Sequence, residues 1–559
     1  MATLPAPPTL PAGRKARGAF FTPPAIADFL AWWAVGSNPD ATVLDPTCGE
    51  AVFLLAAGRE LRKNGADPTD LREHMIGVDI HKQSLARARR LLRAEDLDAR
   101  LLTHDFFELM PPSQLGCVLP EVDAVIGNPP FVRYQEHTGQ RRKRSAAAAL
   151  AQGVPLSGLA SSWAPLLVHA CAFLKPDGRL AMVLPAELLT VHYAEPIRRW
   201  LRQRFQAVHL ILFERLQFAD ALEQVVLVVA KGSGGCDALS LYPVGDASEL
   251  REIRPFDHCD VIPSGEGKWT DMLLPAKSRR LFRRLTAEGF VALEDYGAPQ
   301  LGAVTGANAY FTLTESTRHQ YALSDKQLVR ISPPGTRHLR GLSFTRGDWT
   351  ALRDADEPVW LLQPGEGRPA AGLARYLVTG RKLGVHEAYK CRIRDPWWLP
   401  PVAPRPDLFF TYMSHHYPRL IANSARVSFL NSMHGVRLSA DAPAFAANAL
   451  PLLAINSVTM LGAELFGRSY GGGVLKMEPR EAASLPVPSP RALADAWSRL
   501  EPERAALDRQ LRDGGWMAVV KRVDEVLLGE ILDLSELQVS EMQQAAQLLR
   551  ERRSGRCGR

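Results

Sequence analysis

Short apolar runs alternate with stretches of helical periodicity from residue 20 to about residue 231. Strands that are buried on both faces read as continuous apolar segments, and helical stretches between them indicate a parallel sheet covered by helices. Seven such runs are predicted as strands, at residues 42–44, 75–78, 101–102, 122–126, 180–184, 210–212 and 225–229. The pattern predicts an α/β, doubly wound, seven-stranded domain whose ligand binds at the carboxyl ends of the strands.

The alternation ends at the glycine-rich segment 232–235. Beyond it the segments are shorter and richer in Pro, Trp and Arg, which indicates a second domain of mixed α/β type. Leucine and valine recur at helical spacing near the C-terminus and predict a helical tail. We therefore expect four parts, namely a disordered leader over 1–17, the α/β domain over 18–245, the second domain over 246–490 and a helical segment over 491–559.

Composition and charge narrow the class of protein. With 46% hydrophobic and 23% charged residues, the 559-residue chain is long enough for two or three cores. No apolar run approaches the roughly 18 residues of a membrane span, and the first residues lack the apolar core of a signal peptide. Seven cysteines without a C-x-x-C pair indicate neither a disulfide framework nor a zinc site, so we expect a cytoplasmic protein. The net charge of +7 suits a polyanionic partner.

The strongest chemical signal is the segment Asn128-Pro129-Pro130-Phe131, which directly follows the predicted strand at 122–126. The side-chain oxygen of Asn128 and the backbone carbonyl of Pro129 are two acceptors that one turn can aim at both hydrogens of a planar amino group. Pro129 and Pro130 stiffen the turn, and Phe131 offers a face on which a base can stack. The alternative is a plain strand-ending turn, because Asn-Pro is common in turns. The position of this segment directly after a strand of an α/β chain favours the chemical interpretation.

A second signal is the strand, tight turn and helix over residues 43–54. Its turn reads Asp45-Pro46-Thr47-Cys48-Gly49. Small residues let the backbone approach a ligand closely, and the following helix begins with free N–H groups that suit a carboxylate. Alone this turn is weak evidence, because it recurs in many nucleotide-binding folds.

Acidic residues also end the next two predicted strands. Asp79, followed by Ile80, ends the second strand, where a carboxylate can bind both hydroxyls of a ribose. Asp105 ends the third, where it can accept from an adenine amino group while Phe106 stacks on the ring. Each acid alone could be an ordinary loop residue. Three consecutive strand-end acids before the Asn-Pro-Pro turn favour a nucleotide-like cofactor.

The order of these motifs resembles the gamma-class N6-adenine DNA methyltransferases of the TaqI-like group. The resemblance is carried by residues 20–24, 45–49, 79, 105 and 128–131, and it covers roughly residues 18–232 closely. It implies a methyltransferase that depends on S-adenosylmethionine, with Asn128 also bordering the cofactor. The expected activity is methylation of N6 of adenine in double-stranded DNA, within a restriction-modification or phage-defence system.

The resemblance assigns further residues. In that family the Phe-Thr-Pro segment closes over the methionine part of the cofactor, which implies contacts from Phe21 and Thr22, the latter to the carboxylate. Read without the resemblance, Thr22 is a helix N-cap before a proline. A second base-stacking aromatic is expected before a late hairpin strand, with Phe218 as the candidate and Phe213 as its competitor. Phe131 stands where many members of the family have tyrosine, which loses only a hydroxyl.

The basic run at 141–144 supplies candidate DNA contacts in the first domain. Arg141, Arg142 and Lys143 lie just beyond the Asn-Pro-Pro turn. They are interpreted either as part of a solvated loop or as part of a mobile loop that meets DNA phosphates once the target is bound.

The second domain resembles the target-recognition region of the same family, in segments 302–311, 389–398 and 470–488. Arg392, Arg394 and Lys476 could meet phosphates or base edges there. Trp397 and Trp398 are expected to pack in the protein instead. The C-terminal helical segment follows this target-recognition domain.

The resulting hypothesis places DNA between the two domains, with the target adenine flipped out of the duplex. Unstacking costs a few kcal/mol, which stacking on Phe131 and the amino-group hydrogen bonds would offset. No metal site and no membrane contact are expected. The enzyme is expected to act on DNA as a monomer, and a separate restriction endonuclease is a second candidate partner.

Three other functions compete with this one. Glutamine-N5 methyltransferases share the Asn-Pro-Pro-aromatic turn, but they are much shorter. A fused restriction enzyme would also cut DNA, yet only Glu266-Gly267-Lys268, with Asp257 or Asp260 upstream, hints at a magnesium-dependent nuclease. A DNA-binding subunit without catalysis is disfavoured by the intact Asn-Pro-Pro turn.

Overall fold

The computed structural model describes residues 22–132, 138–213, 225–251, 260–263, 268–365, 369–470 and 473–555. The chain divides into two compact units, Met1–Leu273 and Leu274–Arg559. Each unit has its own sheets and core.

A nine-stranded sheet forms the centre of the first unit. Its strands are β1 (Val43–Asp45), β2 (Met75–Asp79), β3 (Arg100–Thr103), β4 (Val122–Gly127), β5 (Leu174–Pro185), β6 (Ala207–Phe213), β7 (Val225–Lys231), β8 (Ala238–Val244) and β9 (Asp260–Pro263). Their spatial order is β3-β2-β1-β4-β5-β7-β6-β8-β9. The first five in this order are parallel, whereas β7 is antiparallel to both β5 and β6. The strand order reverses between β1 and β4, which is where such sheets bind ligands.

The seven predicted strands are confirmed, and the sheet has two more. β8 pairs in parallel with β6, and β9 pairs antiparallel with β8. The sheet therefore continues to Pro263, past the expected end of the first domain at residue 245. The glycine-rich segment 232–235 lies between β7 and β8 and does not end the sheet.

Eight α-helices accompany these strands in the described part of the first unit. They are α1 (Pro24–Val35), α2 (Val52–Lys63), α3 (Leu71–His74), α4 (Lys82–Ala94), α5 (Gly139–Ala151), α6 (Trp163–Cys171), α7 (Glu187–Thr190) and α8 (Glu195–Arg204). Short 3-10 helices occur at Phe106–Glu108, His192–Ala194, Ala247–Arg251 and Thr270–Leu273. Helix α4 buries only Leu85, Ala88 and Leu92, the spacing of one helical face. Helix α1 is buried over most of its surface and belongs to the main core.

The described residues of the second unit form four small sheets. Its strands are β10 (Phe290–Ala292), β11 (Pro299–Leu301), β12 (Thr312–Leu313), β13 (Leu328–Arg330), β14 (Trp360–Leu362), β15 (Leu408–Phe410), β16 (Met413–Ser414), β17 (Leu420–Ala422), β18 (His434–Val436), β19 (Arg468–Tyr470), β20 (Val474–Lys476) and β21 (Pro486–Pro488). The sheets have the orders β10-β21, β11-β18-β15-β17, β12-β14-β13 and β16-β20-β19. All of these pairings are antiparallel, as expected for a mixed α/β domain without βαβ alternation.

Helices complete the second unit and form its C-terminal part. They are α9 (Ala276–Glu288), α10 (Leu293–Tyr296), α11 (Asn308–Phe311), α12 (Glu315–Gln320), α13 (Arg346–Asp354), α14 (Ala371–Lys382), α15 (Tyr389–Arg392), α16 (Ala446–Leu453), α17 (Ser457–Phe466), α18 (Pro479–Ala483), α19 (Pro490–Leu500), α20 (Arg504–Arg512), α21 (Trp516–Asp524), a π-helix at Glu525–Ile531 and α22 (Glu536–Gly555). Short 3-10 helices lie at Asp325–Gln327 and Val385–Glu387. The predicted helical tail is thus present as α19 to α22.

Among the described residues, no single helix has the length and apolarity to cross a membrane. Helices α16 and α17, bent by 80° relative to each other, meet those two criteria only as a pair.

Candidate active site

The predicted catalytic turn lies at the point where the strand order of the large sheet reverses. Asn128 directly follows β4, and Asp45 ends the neighbouring strand β1. Gly127 lets the two approach, because a Cβ on that glycine would lie 3.0 Å from Oδ1 of Asp45. The structure therefore brings the Asn-Pro-Pro turn and the first strand-end acid together.

Asn128 has one partner and one unused acceptor. Its Nδ2 donates to Oγ1 of Thr22 at 3.2 Å, and Thr22 is buried. Its Oδ1 is buried and has no hydrogen-bond partner within the described residues. A buried acceptor without a donor is costly to the protein, and a ligand with an N–H group at this position would remove the cost.

The hydroxyl of Ser162 holds the Asn-Pro-Pro turn in place. It donates to the carbonyl of Pro130 and accepts from the backbone N–H of Val132, the latter at 2.9 Å. The backbone N–H of Ser162 in turn donates to the carbonyl of Val132 at 3.0 Å. Ser162 was not predicted as a site residue, because a serine before an apolar helix reads as an ordinary N-cap. Its hydroxyl forms no cap bond with α6.

Pro129 is buried in this turn, and no described backbone N–H donates to its carbonyl. Phe131 is partly buried and packs against the main core of the first unit. The two predicted acceptors, Asn128 Oδ1 and Pro129 O, are therefore both without a backbone donor in the described part of the chain.

Asp45 is a buried acid on the cofactor side of the site. Only 1% of its surface is exposed, and burial, followed by repulsion from Asp79, raises its pKa to about 8 despite a hydrogen bond from Thr47 N. Asp45 Oδ2 and the hydroxyl of Thr47 are both buried and have no hydrogen-bond partner among the residues that the structure describes. Unpartnered buried polar atoms therefore occur at the ends of both neighbouring strands, on Asp45 and Thr47 after β1 and on Asn128 after β4, within the part of the chain that the structure describes.

Gly49 and Asp79 join the ends of β1 and β2. The carboxylate of Asp79 accepts from Gly49 N at 3.0 Å and from His81 N at 2.7 Å. Gly49 has a φ of +53°, and a Cβ there would meet no atom within 4 Å, so open space lies beside this turn. Ile80 is 42% exposed, which offers an apolar surface next to the acid.

Cys48 and Pro46, two of the predicted cofactor residues, are buried. The Cys48 thiol lies against Gly77, where a Cβ would come within 2.9 Å of the sulfur. Only backbone atoms of Cys48 could therefore face a ligand, and its N–H already donates to Val78 O at 2.9 Å. Pro46 lies beside Gly127, with its Cδ 3.7 Å from a Cβ built there.

The third strand end carries Asp105 and Phe106, both predicted as cofactor residues. Asp105 Oδ1 accepts from Phe107 N at 3.2 Å and starts the 3-10 helix there. Phe106 is only 3% exposed, because its ring packs on His169 and Phe173, each at 5.2 Å between ring centroids. Its ring therefore belongs to the core and does not offer a stacking face in this structure.

The predicted aromatic contacts are only partly described. Phe21 and Phe218 lie outside the described residues. Phe213, the competitor of Phe218, is 6% exposed and belongs to the main core, so it does not offer a stacking surface.

The basic run lies on helix α5, not in a loop. Arg142 donates to the carbonyl of Gly158, and Arg144 pairs with Glu108. Arg141 and Lys143 are exposed on the same helix. The expectation of a loop was wrong because alanines that follow the run continue the helix to Ala151.

The three basic residues predicted in the second unit differ in their surroundings. Arg392 is exposed on α15. Arg394 donates to Val304 O at 2.6 Å and lies 6.0 Å from the Phe311 ring, and burial lowers its pKa. Lys476 pairs with Glu478 at 2.7 Å. Arg394 is therefore held by the protein, and Lys476 is partly neutralised.

Trp397 and Trp398 pack against the aromatic core of the second unit, as expected. The Trp397 ring lies 5.9 Å from Tyr310 and 6.3 Å from Phe311.

Two family models match this chain in succession. Residues 11–241 match the family described as N-6 DNA Methylase. Residues 266–528 match the C-terminal domain of the Type II methyltransferase M.Eco57I. The chain is an adenine-specific N6 DNA methyltransferase. The match to the first model agrees with the strand ends and the Asn-Pro-Pro turn described above.

Relatives of this methyltransferase align over most of both chains. It is 24% identical over 492 residues to the Type II methyltransferase M.XamI of Xanthomonas campestris pv. amaranthicola, covering 86% of this chain and 87% of that one. It is 22% identical over 492 residues to the Type II methyltransferase M.AccI of Acinetobacter calcoaceticus, with 84% of each covered. These relatives confirm the gamma-class, restriction-modification assignment and disfavour the fused restriction enzyme.

A solved structure also resembles the methyltransferase. The type IIG restriction endonuclease BpuSI is 15% identical and covers 97% of this chain and 67% of its own, with a TM-score of 0.44. At that score the likeness adds nothing to the assignment.

Proposed function

We propose that the methyltransferase takes S-adenosylmethionine as methyl donor and acts on an adenine turned out of duplex DNA. The residues present fit this cofactor. The buried, partnerless oxygens of Asp45 and Thr47 suit polar groups of a ligand, and the open space at Gly49 admits one. Asp79 would bind the ribose hydroxyls, and the exposed Ile80 next to it would supply an apolar contact.

Asn128 and Pro129 would act on the adenine amino group. Asn128 Oδ1 and Pro129 O would each accept a hydrogen bond from one of the two N6 hydrogens. These two bonds would draw the nitrogen lone pair out of the ring system and toward the methyl group. S-adenosylmethionine supplies an electrophilic methyl group on a sulfonium centre. Phe131 would stack on the base, and the Thr22 hydroxyl would fix the Asn128 amide so that its oxygen faces the base.

The observation that carries this proposal is that Oδ1 of Asn128, at the end of β4, and oxygens of Asp45 and Thr47, at the end of the adjacent β1, are buried and have no partner among the described residues. Buried polar atoms normally have partners, so three such orphans at adjoining strand ends indicate ligand groups that complete them.

Replacement of Asn128 tests the proposal. Asn128→Ala should lower methyl transfer into duplex DNA on the order of 10²-fold or more, because a group aimed at the reacting atom is lost. Cofactor binding, measured by calorimetry, should change little. Ser157→Ala, an exposed serine in the same unit, is the matched control. Wild-type methylation by Asn128→Ala would refute the assignment, and methyl incorporation into protein instead of DNA would favour the glutamine-N5 activity.

Partners and compartment remain predictions. We propose that the methyltransferase acts on DNA as a monomer in the cytoplasm and that a separate restriction endonuclease cuts the unmethylated site. Sedimentation of the enzyme with a short duplex would measure the stoichiometry, and a two-to-one complex would contradict the monomer.

A further inference from the structure

A stack of aromatic and cationic side chains lies at the end of the C-terminal helix α22. The Trp516 ring contacts the His416 ring, 5.6 Å away with 29° between the planes, and the Tyr417 ring, 5.2 Å away. The Arg550 guanidinium lies over Trp516, 5.1 Å from its ring centroid. His416 is exposed, and Trp516 and Arg550 are partly exposed. The stack therefore presents a basic face to solvent.

The charges around this stack are positive. Burial lowers the pKa of His416, and so do, in decreasing order, the nearby Arg550, His415, Arg553 and Arg419. Of these, Arg553 has a carboxylate partner, Glu464, at 2.8 Å. In the part of the chain that the structure describes, neither Arg550 nor Arg419 forms an ion pair. The protein therefore leaves mutual repulsion in place that an anionic partner would relieve.

The basic face adjoins the hairpin of β19 and β20. Arg553 donates to His415 O at 3.1 Å and also to the carbonyl of Gly473 between those two strands. Tyr470, at the end of β19, is 57% exposed, and Lys476 lies 5.3 Å from its ring centroid. The hairpin belongs to the segment 470–488 that the sequence indicates for target recognition.

We infer that His416, Trp516 and Arg550 form a contact surface for the phosphate backbone of DNA, which we call the α22 basic face. This inference rests on the proposed action on duplex DNA and adds a binding surface to it. Stacking on Trp516 restrains the Arg550 guanidinium, so less rotamer freedom is lost when a phosphate binds. Phosphate contacts carry no sequence information, so the surface would strengthen binding to every sequence alike.

Salt dependence of DNA binding tests the inference. Arg550→Gln should weaken binding about tenfold for target and non-target duplexes alike, since a charge-assisted bond is lost. The slope of log K against log salt should fall by about 1. Arg550→Lys keeps the charge and should retain most of the slope. Arg375→Gln removes one positive charge from the exposed surface of α14 in the same unit and should leave the affinity unchanged.

Three outcomes would overturn the inference. They are a wild-type slope for Arg550→Gln, an equal loss in Arg375→Gln, and a loss confined to the target sequence. Unfolding midpoints measured by circular dichroism should be equal in all variants, and a lowered midpoint for Arg550→Gln alone would assign Arg550 to folding instead. Failure here leaves the methyl-transfer assay on Asn128→Ala unaffected, so the two proposals are judged separately.

Discussion

The amide of Asn128 donates a 3.2 Å hydrogen bond to the hydroxyl of Thr22, a residue 106 positions earlier in the chain. This bond determines which end of the amide is left over. Because Nδ2 is used by Thr22, the oxygen is the atom that has no partner in the described part of the chain. The segment before the first helix therefore orients the residue proposed to grip the adenine amino group.

Removal of the Thr22 hydroxyl should impair catalysis. Thr22→Val keeps the shape but loses the acceptor, so we expect the turnover number to fall about tenfold, equal to roughly 1.4 kcal/mol of barrier. Thr22→Ser retains the hydroxyl and should keep most of the activity. Single-turnover methylation of a duplex at saturating cofactor measures both variants. Equal loss in the two would mean that packing, not the hydrogen bond, is what Thr22 contributes.

Ser162 is predicted to be a positioning residue for the catalytic turn. Ser162→Ala leaves Pro130 O and Val132 N without their partner, so the turn should loosen and the turnover number should fall roughly tenfold or more. Cofactor affinity should not change, because the bonds lie on the turn and not on the residues at 45–49.

Fluorescence of 2-aminopurine at the target position would report how firmly the flipped base is held in Ser162→Ala. Ser157→Ala is the matched control, since that serine is exposed. An unaltered turnover number with a normal fluorescence signal would show that the turn is stable without the Ser162 hydroxyl.

The buried acid Asp45 should make stability depend on pH. Its pKa is raised by burial from an ordinary 3.8 to about 8, so the folded state keeps a proton that the unfolded state releases over this range. The stabilisation linked to this group is complete below the unfolded-state pKa and is lost as pH rises toward about 8.

Comparison with Asp45→Asn isolates this effect, because all other titrating groups are shared. The melting temperature of the wild type relative to that of Asp45→Asn should decrease between about pH 5 and about pH 8. A difference that stays constant or increases with pH would contradict the raised pKa.

Asp524 connects three helices of the second unit by hydrogen bonds, and its loss should lower the stability of the fold. It is fully buried and accepts from Ser457 N at 2.9 Å, from the Ser457 hydroxyl at 2.6 Å and from Gln543 Nε2 at 2.9 Å. Asp524→Ala leaves these donors unsatisfied and should cost roughly 3 kcal/mol of unfolding free energy.

Denaturant unfolding followed by tryptophan fluorescence measures the cost of Asp524→Ala. Asp524→Asn keeps one acceptor oxygen and should lose less. Asp495→Ala, at a half-exposed position on α19, should stay within about 0.5 kcal/mol of the wild type. If Asp524→Ala and Asp495→Ala lowered the free energy of unfolding equally, the role of Asp524 in connecting the helices would be refuted.

Much of the first unit could be predicted from the sequence, because its signals are local. Continuous apolar runs predict the strands, and strand-end acids and the Asn-Pro-Pro turn depend on neighbours in the chain. For the same reason the helical tail was predicted from its spacing alone. A local signal also misled: the basic run at 141–144 was expected in a loop, but it lies on helix α5.

Only the tertiary structure decided the features that depend on contact between two distant segments of the chain. Packing between elements that lie far apart in the sequence produces the Thr22–Asn128 bond and the hydrogen bonds of Ser162 to the catalytic turn. It also buries Phe106 and raises the pKa of Asp45. The α22 basic face joins residues 416, 516 and 550 in the same way. Periodicity and turn chemistry act over a few residues, whereas burial and charge depend on which surfaces the folded chain brings together.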